Sequence, residues 1–149
     1  MQLTRAADYG VRAMVHLAGL SETRRAGTAV LAKAAEVPPT FLTKVLQRLT
    51  ASGLVVSHRG PNGGFTLAVP ASSISLLHVV EAIEGPIQLN LCTGPHANGI
   101  PECPRQTRCA VHNVWMHAQA KLREVLGEAS LDELARECAR NLELPRKDE

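Results

Sequence analysis

The stretch Leu54-Val-Val-Ser-His-Arg59-Gly60-Pro-Asn-Gly-Gly64-Phe65-Thr-Leu-Ala-Val69 decides the fold. Two short β-prone runs, 54–59 and 65–69, flank a Gly/Pro/Asn cluster. That cluster contains the Asn62-Gly63 pair of a tight hairpin turn. A hairpin alone says little, and its meaning comes from the helices before it.

Upstream lie two short helices. Thr28 is expected to cap one over 29–36, with Val30, Leu31 and Ala34 turned inward. A tight turn at Val37-Pro38 follows, and Pro39 suits the first position of the next helix, where its missing N–H costs nothing. Leu42, Val45, Leu46 and Leu49 repeat at i, i+3, i+4, i+7 and form the buried stripe. Thr40, Phe41, Thr43, Lys44, Gln47 and Arg48 are left pointing outward. Gly53 ends the helix. Two short helices around a tight turn, the second basic outside, read as helix-turn-helix, and a hairpin directly behind it reads as a wing. Arg59, Asn62 and Gly63 then sit at the wing's tip, where a guanidinium can enter a minor groove and glycine allows close approach to phosphate.

The charge distribution agrees. In a chain of 149 residues with net charge +2, residues 1–70 carry eight basic and three acidic side chains, a balance of +5. The remainder balances at −3. The basic half is therefore the candidate for double-stranded DNA. With only one Trp, one Tyr and two Phe, a base-stacking platform for single strands is not expected. No apolar run approaches a membrane span and the first residues lack a signal-peptide core, which together predict a cytoplasmic protein with no membrane partner. Walker, Gly-x-Ser-x-Gly and dinucleotide fingerprints are missing, so neither an enzyme nor a small-molecule substrate is expected.

Before the helix-turn-helix, Thr4 is expected to cap a helix reaching Leu20, with Ala7, Val11, Met14 and Ala18 buried. After the wing, Ser75 caps a helix through Glu84, stopped by Gly85-Pro86, with Leu77, Val80 and Ile83 inward. A Gly/Pro-rich loop then spaces cysteines as Cys92-x10-Cys103-x5-Cys109-x2-His112. Thiols in a reducing compartment suit zinc, copper(I) or iron–sulfur clusters, and His112 can join them if it and Cys109 share a helix's first turn. From about Thr107 to Leu126, Val111, Trp115, Ala118, Leu122 and Val125 form a seam that can pack across a twofold axis or on its own domain. Ser130-Leu-Asp-Glu133 opens a last helix whose Leu131, Leu134, Ala135, Cys138 and Leu142 share one face, making Cys138 a small core residue. His58, His78, His96 and His117 have no motif support and read as surface or core.

These stretches together resemble the Rrf-type winged-helix transcription regulators, the family of the IscR and NsrR repressors. The match rests on Met1-Gln-Leu-Thr with Tyr9, Leu49-Thr-Ala-Ser-Gly-Leu-Val, Arg59-Gly-Pro-Asn-Gly-Gly-Phe-Thr-Leu, Pro70-Ala-Ser-Ser-Ile and the three-cysteine loop. The resemblance implies a homodimeric repressor on a palindromic operator, controlled by a 2Fe-2S or 4Fe-4S cluster that senses iron–sulfur status, nitric oxide or redox state. Cys92, Cys103 and Cys109 match the cluster cysteines. Thr40, Phe41 and Thr43 match recognition-helix contacts, and Arg59 matches the minor-groove arginine. For the fourth ligand, His112 matches the Cys-x-x-His-x-x-Trp of one branch, and Asp8 matches a carboxylate supplied by the other subunit in another. The ten-residue gap after Cys92 is longer than the family's usual one.

The expected architecture is mostly α with a small β-hairpin wing: a winged helix-turn-helix domain plus a long dimerisation helix. Residues 1–86 would form the DNA-binding domain, 87–108 the cysteine-rich loop and 109–143 the dimerisation and C-terminal helices. The alternative is a cluster-free zinc or thiol-redox regulator using the same cysteines.

Overall fold

The computed structural model describes residues 3–21, 23–94 and 103–143. His96 and the charged stretch 144–149 lie outside them. Among the described residues the chain forms six α-helices and one antiparallel hairpin: α1 Arg5–Ala18, α2 Thr28–Ala35, α3 Pro39–Ala51, β1 Val55–His58, β2 Gly64–Leu67, α4 Leu76–Glu84, α5 His112–Glu128 and α6 Leu131–Glu143. Short 3-10 turns occur at Ala71–Ser73, Leu91–Thr93 and Gln106–Arg108. No described helix is long and apolar enough to cross a membrane.

The expected caps hold at three starts. The side chain of Thr4 accepts from the Ala7 N–H, Ser75 accepts from His78, and Ser130 accepts from Glu133. The imidazole Nδ1 of His78 completes a reciprocal box by accepting from Ser75 N. In α3 the four predicted core positions, Leu42, Val45, Leu46 and Leu49, are all buried, and Gly53 follows with φ +77, the left-handed conformation a helix C-terminus favours.

Several details differ from expectation. Helix α2 begins at Thr28, with Gly27 in the cap position and no side-chain cap, and it buries Leu31, Ala32 and Ala35 while Val30 and Ala34 face out. In an eight-residue helix with apolar residues all round, tertiary contact chooses the face. Glu36 enters the left-handed region at φ +57, which lets Val37 drop into the core before Pro38. The strands pair Val55 with Leu67 and His58 with Gly64, leaving a five-residue loop and not a two-residue turn at Asn62-Gly63. Gly63 N–H bonds back to Gly60 O at 2.9 Å around Pro61, whose fixed φ suits the first corner of such a turn. Helix α5 begins at His112 and not near Thr107, because 106–108 take a 3-10 turn first.

One core serves the whole body. Met14, Leu31, Leu42, Leu46, Leu49, Ile74, Val79 and Leu131 are all at most 1% exposed. Leu131 brings α6 into the winged-helix core, and a bridge between Ser75 and Ser130 ties the two helix starts together. Beyond the partly buried Leu134 and Ala135 the face of α6 opens to solvent: Cys138 is exposed and Leu142 is 80% exposed. The core role expected for Cys138 is therefore wrong for this chain, since the amphipathic stripe continues past the helix it packs on.

Candidate functional site

Two regions carry the candidate chemistry. In the first, Thr40, Phe41, Thr43, Lys44, Gln47 and Arg48 are all exposed along α3. Phe41, 59% exposed, is propped edge-to-face by Tyr9 of α1, with ring centroids 6.4 Å apart. Thr43 Oγ1 donates to Pro39 O within its own helix at 3.0 Å. Arg48 is committed elsewhere: Nη1 donates to Ile83 O of α4 at 2.8 Å.

The wing is braced from behind. Arg59, Pro61 and Asn62 are exposed at its tip, and the Arg25 guanidinium donates to Asn62 O at 3.3 Å. Ala26 pairs with Phe65 through two backbone hydrogen bonds, 3.1 and 2.9 Å, adding a one-residue third strand along β2. Gly64 makes this approach possible. Its φ is +142, and a Cβ there would stand 2.9 Å from the Ala26 carbonyl. His58, left as surface or core by its sequence, pairs across the strands with Thr66 Oγ1 at 2.9 Å.

The second region gathers the cysteines, all of them free thiols. Cys92 is 7% exposed in the 3-10 turn Leu91–Thr93. Asn90 and Thr93 close that turn on itself, and Gln119 of α5 clamps it: Oε1 accepts from Leu89 N at 3.0 Å and Nε2 donates to Thr93 O at 2.9 Å. Cys103 and Cys109 are half-buried in the turns before α5, and Cys109 O accepts from His112 N at 3.2 Å. Cys109 thus lies just outside the helix that His112 begins. The ring of His112 is half-buried, and its Nδ1 is buried with no hydrogen-bond partner. Among the described residues, no three Cys, His, Asp or Glu side chains come close enough to hold a metal ion. Asp8 is exposed and paired with Arg12 at 2.9 Å, and Arg12 also donates to Ala35 O at the end of α2. The donors' chemistry therefore fits an iron–sulfur cluster: three free thiols and one buried imidazole nitrogen without a partner. Their described positions do not yet converge.

Residues that sequence reading missed act at long range: Arg25 at the wing, Gln119 at the Cys92 turn, and Arg123, which forms a two-pronged ion pair from α5 to Glu81 of α4. Periodicity marks none of them.

Comparison with known proteins assigns this architecture. A sequence model of the Rrf2 family, described as an iron-dependent transcriptional regulator, matches residues 3–137. A Mycobacterium tuberculosis protein named as an HTH-type transcriptional regulator, Rv1287, is 36% identical over 136 residues, 91% of this chain and 81% of that one. The HTH-type transcriptional regulator IscR of Vibrio cholerae is 29% identical over 134 residues, 90% of this chain and 75% of that one. Among solved structures, CymR of B. subtilis, described as its global cysteine regulator, superposes with a TM-score of 0.71 at 21% identity, covering 91% of this chain and 97% of that one. These relatives are transcription regulators and not enzymes. A winged helix-turn-helix with a basic face, matched over nearly its whole length, places this chain in the Rrf2 family of DNA-binding transcription regulators.

Proposed function

We propose that the chain is a dimeric repressor whose grip on a palindromic operator is set by an iron–sulfur cluster held through Cys92, Cys103, Cys109 and His112. The observation that carries this is the half-buried imidazole of His112, whose unpartnered, buried Nδ1 stands three residues from a free, half-buried thiol. A buried polar atom without a partner costs about 1–3 kcal/mol, and a metal bond would relieve that cost. When bound, the cluster supplies irons whose oxidation, loss or reaction with nitric oxide changes how the cysteine segment is held. Asp8 from a second copy is the competing fourth ligand. In this chain its carboxylate is already held by Arg12.

The chain's own residues do the rest. Thr40, Phe41, Thr43, Lys44 and Gln47 enter a major groove, while Arg59, Asn62 and Gly63 follow the adjacent minor groove and backbone. Arg48 lies on the same face and serves the joint to α4. Helix α5 has no fully buried residue, and its N-cap Val111 together with Val114, Trp115 and Val125 forms one face, 39–63% exposed. So apolar a helix face fits a second copy related by a twofold axis.

Anaerobic purification and reconstitution test the reading. Iron and sulfide should be present in near-equal amounts with thiolate-to-iron absorption, each of Cys92→Ser, Cys103→Ser and Cys109→Ser should abolish it, and stripping should change operator affinity. His112→Ala set beside Asp8→Ala decides the fourth ligand. A colourless protein whose operator binding ignores iron counts against the cluster. It favours the second reading, a zinc or thiol-redox regulator, in keeping with the likeness to CymR. Zinc content and thiol counts before and after peroxide distinguish those two.

A further inference from the structure

The second half of α4 gathers bonds from α3, the start of α1, α5 and the segment leading to Cys92. Arg48 of the recognition helix donates to Ile83 O at 2.8 Å, and Glu84 Oε1 accepts from Thr4 N at 2.7 Å, at the start of α1. The Glu81 carboxylate, 23% exposed, takes the Arg123 guanidinium of α5 in two-pronged contact. It also accepts from Ile87 N at 3.1 Å, where the chain turns toward Cys92. One helical turn before Arg123 on α5, Gln119 clamps the Cys92 turn. Side-chain bonds and the backbones of α4 and α5 thus join the cysteine segment to the recognition helix through Glu81 and Ile83 of α4.

From this geometry we infer that the Glu81–Arg123 pair is a positioning joint: it sets the angle at which α5 leaves the winged-helix body, and through it the spacing of the two recognition helices in the dimer. The inference rests on the dimeric DNA-binding reading above. Between Arg123 and His112, α5 runs about 16 Å at its rise per residue, so a tilt of about 4° at the joint displaces His112 by about 1 Å. The reverse also holds: a pull on the loop at His112 and Cys109 arrives at Glu81 as a tilt of α5. Arg48 passes it on to α3. A bidentate guanidinium–carboxylate pair suits this role because it fixes an angle as well as a distance.

Operator spacing provides the test. One base pair inserted at or removed from the centre of a palindrome shifts a half-site by about 3.4 Å and turns it by about 35°. A palindrome selected by the wild-type chain from random DNA is compared with its one-base-pair-longer and shorter forms, using wild type, Arg123→Ala and Arg123→Lys. Arg123→Ala leaves the Ile87–Glu81 bond in place, so it breaks the α5 joint alone. The wild type should prefer its own spacing by about tenfold or more, a discrimination typical of one disfavoured step. Arg123→Ala should lower that preference to about threefold or less while remaining a dimer by sedimentation, and Arg123→Lys, which keeps the charge but not the two-pronged contact, should fall between it and the wild type. A purely stabilising role would instead weaken binding to all three spacings alike.

Full spacing preference in folded, dimeric Arg123→Ala overturns the inference alone. Dissociation of Arg123→Ala to monomers also overturns it, because the pair would then hold the dimer and not aim it. Should Arg123→Ala fail to fold, Glu81→Gln takes its place with the same criteria: its amide oxygen can still accept from Ile87 N and Arg123 Nη1, but its NH2 cannot accept the second guanidinium prong. A wild type with no preference among spacings removes the dimeric operator reading itself.

Discussion

Tyr9 meets Phe41 edge-to-face, their planes at 82°, so the first helix supports the most exposed apolar side chain of the recognition helix. Such a contact contributes about 0.5–1.5 kcal/mol beyond burial. Tyr9→Leu should therefore weaken specific operator binding by no more than about tenfold, with near-normal thermal stability. Phe41→Ala should weaken it at least as much. Unchanged affinity in both variants by fluorescence anisotropy would show that this aromatic pair only packs.

Gly64 is a wing position that cannot take a side chain without disturbing its neighbours. Alanine there meets both a backbone strained at φ +142 and the Ala26 carbonyl at 2.9 Å. Gly64→Ala should cost about 2 kcal/mol in urea unfolding and reduce DNA affinity, because the Ala26–Phe65 bridge must open. Wild-type stability in that variant would mean the bridge contributes nothing to holding the wing.

Exposed basic residues on the two reading elements should reveal themselves through salt. Replacing Lys44 or Arg59 by alanine should each lower the slope of log affinity against log salt by about one, if each meets a phosphate. Lys33, exposed on α2, serves as the control. Should Lys33→Ala shift the slope as much as the other two, the effect reports overall charge and not placement.

Gly10 lets α1 pack directly against the Ile83 side chain of α4. A Cβ would fall 2.1 Å from Ile83 Cδ1 and 3.1 Å from Val45 Cγ1. Gly10→Ala gains about 1 kcal/mol of helix propensity but must push Ile83 aside in a packed core, which costs about 1–3 kcal/mol. A net loss of roughly 1 kcal/mol in the denaturation midpoint is expected. A midpoint that rises would show that Ile83 has room to turn.

What could be read from sequence was what repeats locally. All four apolar positions of α3 landed in the core because they alternate sharply with polar neighbours. Helix α2 misled because Val30, Ala32, Ala34 and Ala35 surround it, leaving the choice of face to α1 and α3. The stripe of α6 was visible, but a stripe does not say how far the surface opposite extends, and Cys138 lies beyond that surface. At the cysteine segment, the ligand types were apparent from spacing. Gln119, Glu81 and Arg123, which hold that segment and α5 to the body, were not, since their partners lie 26 to 42 residues away.

Leu131 fills the winged-helix core from the far side of the cysteine segment, with its N–H on Ile74 O and Ala129 O taking Leu76 N–H. On a ribosome, the operator-reading head therefore lacks its last core residue until every cysteine of the loop has been translated. A truncated product ending before residue 131 has a hole where a leucine belongs, at a cost of about 2–5 kcal/mol. A fragment cut short in this way starts with its winged helix weakened before any DNA is met.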